Sequence, residues 1–348
     1  KKNDLKVKIK IKIKLIGKKK ILFNFGVLII SNSKLSLLKY FNPLLLVDNI
    51  ILLTDKRGLK YFNKDNFKFE IINTPKLNNI FFLPINFILI LILILKSYFL
   101  LKNKKIEKIF STGGYMSLPI ILAAKLLKLK IYLVEPNQVL GRANKFFLKS
   151  CEKIFCYTKE IKNFPKKFKD KIITIFPLVK ENIYRLKQIN ENKDQFTLLV
   201  VGGSQGANIF DKNLKNLIVK ISKEESIKII QQTHQNNITN LKNFYTKNNV
   251  KNKIFSFDEN FAYKMTQSNL CISRAGASTL AELSVLNVPF IAVPLPTSKD
   301  NHQYENALFY EMKNCCWIVE QNQFEEKIEK VLKEILYDKS NYSKKKEN

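Results

Sequence analysis

Short apolar runs rich in Ile, Val, Leu and Phe recur along this chain, separated by longer stretches with helical periodicity or polar turns. In the first half the runs are Ile50–Thr54, Phe69–Ile72, Ile106–Phe110, Ile131–Val134, Lys153–Tyr157 and Ile172–Ile175. In the second half they are Phe196–Val201, Ile227–Gln231, Lys253–Phe255, Leu270–Ser273 and Phe290–Val293. Continuous apolar runs of strand length fit strands buried on both faces. Ser117–Leu127, with Pro119 near its start, and the stretch from Asn208 to Ile221 read as helices. Strands alternating with helices predict an α/β chain with parallel sheets. The prolines Pro165 and Pro177 bracket a boundary between two such domains, residues 19–165 and 178–335. Residues 336–348 read as a polar tail, frayed from Lys339 onward.

Phe81–Leu101 is the most apolar stretch, with Pro84 placed to start a helix. Three readings compete. A transmembrane helix needs about 20 apolar residues, and Asn86, Lys96 and the Lys102–Lys105 cluster leave this run short. A core helix is the second. The third, which we favour, is a helix with one face on the sheet and the other in the lipid interface, flanked by lysines.

Two strand–loop–helix units carry candidate chemistry. Leu270–Ser273 runs into Ser273-Arg274-Ala275-Gly276-Ala277-Ser278-Thr279-Leu280-Ala281-Glu282-Leu283. Ser278 or Thr279 is placed to cap the helix, with Glu282 in its first turn. Free N–H groups at the positive end of a helix suit an anionic ligand, and Glu282 suits sugar hydroxyls. A helix-capping box without ligand reads equally well from this segment alone. The second unit is Phe196–Val201 followed by Gly202-Gly203-Ser204-Gln205-Gly206-Ala207, where paired glycines let backbone approach a phosphate. It is neither a P-loop nor a dinucleotide fingerprint. Together the units predict a doubly wound sheet with a ligand across its strand ends.

Composition narrows the partners. The 348 residues hold 60 Lys plus Arg against 29 Asp plus Glu, a formal charge of +31. That field favours anionic partners, but much of the lysine accompanies Ile, Asn and Phe, a bias of AT-rich coding. No basic stripe interleaved with aromatics appears, so nucleic acid is not expected as a partner. Cys151, Cys156, Cys271, Cys315 and Cys316 form no C-x-x-C pair and read as free thiols. With only His234 and His302, neither a Cys/His zinc site nor any other metal is expected. Lys6–Lys14 alternates Lys with Val or Ile, and residues 1–18 read as a basic leader outside the fold, without the long uncharged segment of a secretory signal.

Five ordered segments resemble the MurG family of peptidoglycan glycosyltransferases. They are Ser111-Thr112-Gly113-Gly114-Tyr115-Met116-Ser117-Leu118-Pro119, Glu135-Pro136-Asn137 with Gly141 and Asn144, Gly202–Ala207, Ser273–Leu283, and Asp300-Asn301-His302-Gln303-Tyr304-Glu305-Asn306-Ala307. The resemblance covers about Ile50 to Glu334. It implies the GT-B fold, two Rossmann-like domains with parallel sheets facing across a cleft. It implies an inverting transfer of N-acetylglucosamine from UDP-N-acetylglucosamine to undecaprenyl-diphospho-N-acetylmuramoyl-pentapeptide, without metal or other cofactor, by a peripheral enzyme on the anionic cytoplasmic surface of the inner membrane.

Carried over by motif, Ser204, Gln205 and Gly206 hold the donor diphosphate, and Arg274, Gly276 and Ser278 of the second loop are further donor-binding residues. Glu282 takes the ribose, and His302 and Gln303 take the sugar hydroxyls. Lys180 stands where the family has an arginine, keeping the charge but losing the planar fork. Asn137 lies near the reacting groups, and Gly113, Gly114 and Tyr115 shape the side that receives the lipid-linked substrate.

The chain departs from the family at its first glycine-rich loop. After Ile21-Leu22-Phe23 comes Asn24-Phe25-Gly26-Val27-Leu28-Ile29-Ile30-Ser31-Asn32-Ser33, which keeps one glycine and lacks the family's histidine. A frameshift, decay or divergence would each give this pattern. The missing histidine is the obvious base for the sugar hydroxyl, which leaves Glu135 as a substitute. The alternative to an active enzyme is a remnant that binds the nucleotide sugar without turnover.

Overall fold

Short apolar strands buried on both faces can pair only where helices cover both sides of a sheet, and parallel pairing follows from the helical crossovers between them. In the computed structural model the described residues are 21–24, 50–55, 68–75, 83–179, 181–186, 195–202, 208–258, 260–337 and 339–347. They fall into two compact units, Lys1–Leu178 and Val179–Asn348.

The first unit holds β1 (Ile21–Asn24), β2 (Ile50–Thr54), β3 (Lys68–Ile71), β4 (Lys108–Ser111), β5 (Lys130–Glu135), β6 (Lys153–Cys156) and β7 (Ile172–Thr174). The strand order is β3-β2-β1-β4-β5-β6-β7. Its helices are α1 (Leu83–Asn103), α2 (Ser117–Leu126) and α3 (Arg142–Phe147). The rings of Phe110 and Tyr132 stack across β4 and β5 at 4.8 Å, and Phe155 on β6 continues the row.

The second unit holds β8 (Phe196–Val201), β9 (Ile227–Gln232), β10 (Lys251–Phe255), β11 (Leu270–Ser273), β12 (Phe290–Ala292) and β13 (Cys316–Ile318), in the order β10-β9-β8-β11-β12-β13. Its helices are α4 (Glu181–Leu186), α5 (Asn208–Ser222), α6 (Ile238–Lys247), α7 (Phe261–Thr266), α8 (Ala277–Val285), α9 (His302–Glu311), α10 (Phe324–Tyr337) and α11 (Lys339–Glu347). All described strand pairings are parallel. The five cysteines are buried and free.

The expected strands are present with ends shifted by a residue or two, which is where side-chain pattern constrains least. The short strand β13 was not expected. Residues 1–18 and the altered stretch after Asn24 lie outside the described residues.

The polar tail is not frayed. α11 folds back on the unit: Lys345 is buried and donates to Cys316 O and Asn314 Oδ1, both at 2.9 Å, with its ammonium 4.8 Å from the centre of the Trp317 ring. Tyr342 OH donates to Asn269 O at 2.9 Å. These anchors are single residues in a polar sequence, so no periodicity announces them.

α1 is one-sided. Ile90, Ser97 and Leu101 are buried, and the helix packs along α2. Ile85, Phe87, Ile88, Leu89, Leu91, Ile92, Leu95 and Phe99 are exposed. This excludes the core-helix reading. The apolar run is also longer than expected: by length and composition alone Pro84–Asn103, with a mean hydropathy of 2.2, suffices to cross a membrane.

Five helices end without glycine in a left-handed residue. Lys105, Lys128, Asn249, Asn287 and Asn314 have φ between 53° and 57°. In each case the next N–H reaches back to a carbonyl in the last turn: Ile106 to Leu101, Leu129 to Ala124, Val250 to Tyr245, Val288 to Leu283 and Cys315 to Tyr310. This is the Schellman arrangement, in which glycine is the usual left-handed residue. The chain has only 10 glycines. Side chains in this conformation carry a steric cost of about 1 kcal/mol, smaller for Asn. Lys128→Gly is therefore expected to raise the unfolding free energy by roughly 0.5–1 kcal/mol, and Asn287→Gly by less. Denaturant melts of each variant measure the order; a destabilised Lys128→Gly would contradict the steric account.

Candidate functional site

In a doubly wound sheet, the loops on either side of the strand-order reversal leave the carboxyl edge in opposite directions and open a crevice between them. In the second unit the reversal lies between β8 and β11, and Val201 and Ser273 are register partners at their ends. The two glycine-bearing loops picked out in the sequence therefore start side by side, tied by Arg274 N–H to Val201 O at 3.3 Å. Gly202 is described; Ser204, Gln205 and Gly206 lie outside the described residues, as does Lys180.

α8 starts one turn earlier than expected. Gly276 is its N-cap, with extended backbone (φ −72°, ψ 132°) and no side-chain cap. Ser278 and Thr279 lie inside the first turn, and Glu282 falls in the second, 4% exposed. The expected capping box is thus absent. A Cβ built on Gly276 would meet nothing within 4 Å, so the N-terminus of α8 is open at that point.

Arg274 does not present its guanidinium as a free anion ligand. Nη1 donates to Val293 O and Pro294 O, both at 3.3 Å, and Nη2 donates to Gln321 Oε1 at 2.6 Å. The group also stacks over Phe210 of α5 at 5.4 Å. Burial lowers its pKa from the usual arginine range. These bonds tie the end of β11 to the loop after β12 and to Gln321.

The loop after β12 leads to α9. Asp300 and Asn301 are both left-handed (φ 54°), so the chain turns sharply just before His302. His302, half-buried, pairs its Nδ1 with Lys299 O at 2.8 Å. Gln303 Oε1 accepts from Leu295 N–H at 3.0 Å, closing the loop on itself.

On α5, buried Asp211 accepts from Gln231 Nε2 and Asn237 Nδ2, both at 2.8 Å, and from Thr233 Oγ1. Tyr245 OH completes the network by donating to Gln231 Oε1 at 3.0 Å. This ties the start of α5, just after the Gly202–Ala207 stretch, to the carboxyl end of β9. Nothing in the sequence singled it out, because its members are single polar residues far apart in the chain.

In the first unit the strand order reverses between β1 and β4. β4 runs into Gly113 and Gly114, both left-handed (φ 74° and 84°). Gly114 O accepts from Ser117 N–H at 3.1 Å and Ser117 Oγ at 2.7 Å, which starts α2. A Cβ on Gly113 would sit 2.7 Å from Asn144 Oδ1. Glycine is required at this position both by φ and by that contact. Tyr115 belongs to the same turn.

Glu135, at the end of β5, is 2% exposed. Oε1 accepts from Asn137 N–H at 3.2 Å and Asn137 Nδ2 at 3.0 Å; Oε2 accepts from Gly141 N–H at 2.8 Å and Asn144 Nδ2 at 2.9 Å. Burial raises its pKa, and the four donors offset part of that. With two hydrogen bonds to each oxygen, Glu135 holds Asn137, Gly141 and Asn144 in place. Gly141 and Asn144, which the motif alone assigns no role, are Glu135's partners. No cluster of three or more His, Cys, Asp or Glu side chains fit to hold a metal occurs among the described residues.

Residues 44–156 match the glycosyltransferase family 28 N-terminal domain, and residues 197–348 match its C-terminal domain. A protein of Pelagibacter ubique (strain HTCC1062) is 45% identical over 303 residues, 86% of this chain and 85% of its own length. One from Rickettsia felis (strain ATCC VR-1525 / URRWXCal2) is 37% identical over 295 residues, 80% of this chain and 81% of its own. Both carry the name UDP-N-acetylglucosamine–N-acetylmuramyl-(pentapeptide) pyrophosphoryl-undecaprenol N-acetylglucosamine transferase. The crystal structure of MurG from Acinetobacter baumannii aligns with a TM-score of 0.73 at 20% identity, covering 95% of each chain, and so shares the fold.

Glu135→Gln puts an amide NH2 against two donors, whichever way it turns. The expected cost is about 2 kcal/mol of unfolding free energy, read by denaturant melts. An unchanged melt for Glu135→Gln would refute the positioning role.

Proposed function

This chain belongs to the MurG family of glycosyltransferases, and from that membership we infer that it moves N-acetylglucosamine from UDP-N-acetylglucosamine to the lipid-linked N-acetylmuramoyl-pentapeptide of peptidoglycan synthesis. The observation that carries this reading is 45% identity over 86% of the chain to a transferase of that name, with candidate loops at the strand-order reversals of both sheets.

The reaction forms a bond from the muramoyl 4-hydroxyl oxygen to the anomeric carbon of N-acetylglucosamine. The anomeric carbon–oxygen bond to the diphosphate breaks with inversion, UDP leaves, and the hydroxyl proton passes to a base. In our reading the second unit binds the donor. The loops after β8 and β11 take the diphosphate, where backbone N–H groups and the α8 N-terminus offset the charge that grows on the leaving group. Glu282 takes the ribose, and His302 and Gln303 take the sugar. The first unit receives the lipid-linked substrate at the Gly113–Tyr115 turn. Asn137 faces the reacting groups, its amide set by Glu135.

The membrane contact is assigned to α1. Its exposed apolar side carries Phe87, Leu91, Leu95 and Phe99, and Lys96, Lys102, Lys104 and Lys105 sit along or beyond it. An apolar side bordered by lysines suits the headgroup–acyl boundary of an anionic bilayer. We place the enzyme there as a peripheral protein on the cytoplasmic face.

The direct test is transfer of labelled N-acetylglucosamine from its UDP donor to a short-chain analogue of the lipid substrate. Product with inverted anomeric configuration is expected; donor binding by calorimetry without any product would overturn the assignment as an active transferase. For the membrane contact, sedimentation with phosphatidylglycerol vesicles is expected to capture the protein, less so in high salt. Ile88→Asp with Leu95→Asp is expected to lower capture at least about tenfold, since the pair places two carboxylates against hydrocarbon. Undiminished capture would move the contact elsewhere.

A further inference from the structure

We propose that Arg274 is a positioning residue for recognition of the transferred sugar, acting through the backbone of the 294–303 loop on the amide of Gln303. The proposal rests on the donor reading above and deepens it.

Arg274 leaves β11 at the strand-order reversal and turns its guanidinium sideways, under the neighbouring loops. Its two carbonyl partners, Val293 O and Pro294 O, are the last groups of the β12 exit before the loop. The residue that follows, Leu295, donates its N–H to Gln303 Oε1. That bond settles the amide's orientation: its oxygen faces the loop backbone, and its NH2 is the group Gln303 can offer a ligand. The loop is knitted between these points by Ser298 N–H to Leu295 O at 3.0 Å and Asn301 N–H to Ser298 O at 3.1 Å. Gln303 N–H also reaches Ser298 Oγ at 3.4 Å. On the far side Gln321 Oε1 and the Phe210 ring hold the guanidinium flat. A planar cation with several donors is needed for this; a lysine ammonium reaches the carbonyls but lacks the second edge for Gln321.

A diphosphate ligand and a loop-positioning residue predict different losses. Were Arg274 to bind phosphate directly, its removal would weaken UDP and UDP-N-acetylglucosamine alike. As a positioning residue for the sugar loop, it affects the sugar alone. The test is calorimetry on the full chain with UDP and UDP-N-acetylglucosamine separately, for wild type, Arg274→Met, Arg274→Lys and Gln303→Ala. For Arg274→Met we expect UDP affinity within about twofold of wild type and UDP-N-acetylglucosamine weakened about tenfold, the size of one lost hydrogen-bonded contact. Arg274→Lys is expected to fall between, and Arg274→Met is expected to add little once Gln303 is Ala, because both act through one amide. Equal losses on both ligands, or no loss on either, would overturn the proposal. Should Arg274→Met fail to fold, Gln321→Ala, which frees the second edge of the guanidinium, reads the same ratio. A wild-type chain that binds UDP but gains nothing from the N-acetylglucosamine would sink the donor reading itself, a result distinct from either outcome for Arg274.

Discussion

The carboxyl edge of a parallel sheet gathers loop ends that come from distant parts of the sequence, and their polar groups lose water together. Each one needs a partner within the edge, because an unmet buried donor or acceptor costs more than a made bond returns. This chain meets the need with a few charged side chains that each take several partners. Glu135 collects four N–H donors in the first unit, Asp211 three side-chain donors in the second, and Arg274 hands its own donors to three oxygens. The loops around them inherit their shape from these centres. Gly113 packs on Asn144 because Glu135 holds Asn144; the 294–303 loop leaves β12 along carbonyls that Arg274 holds.

That arrangement separates two kinds of residue within the motifs. Gly276 leaves the N-terminus of α8 open. Glu135 and Arg274, which by residue type look like a base and an anion ligand, are also held by the protein: the carboxylate accepts four hydrogen bonds and the guanidinium donates three. Residue type alone does not separate the two kinds; partner geometry does.

A second thread is economy of glycine. Helix ends that usually take glycine take Lys or Asn here, and a hydrogen bond from the next N–H to a carbonyl in the preceding turn holds the left-handed geometry. At Gly113 glycine is kept where a side chain would collide with Asn144. The same lysine-rich composition gives α1 its border of cations and gives α11 the buried Lys345. A compositional bias has thus been put to distinct structural uses.

The alternation of apolar strands with helices determined the α/β class, and the strand positions were legible because a strand buried on both faces has no polar positions to confuse the pattern. The turn after β11 was legible too, since small residues around a glycine follow the apolar run there. The capping of α8, the burial of Glu282 and the anchoring of α11 were not, because each depends on which atoms lie across the sheet or beyond the next helix. Nor could the sequence show that Glu135, Asn137, Gly141 and Asn144 form one cluster, or that Arg274 meets Gln321, 47 positions away. Hydrophobic period is a local property and survives in one dimension. The partners of a buried charge are chosen in three, and only the tertiary structure decided them.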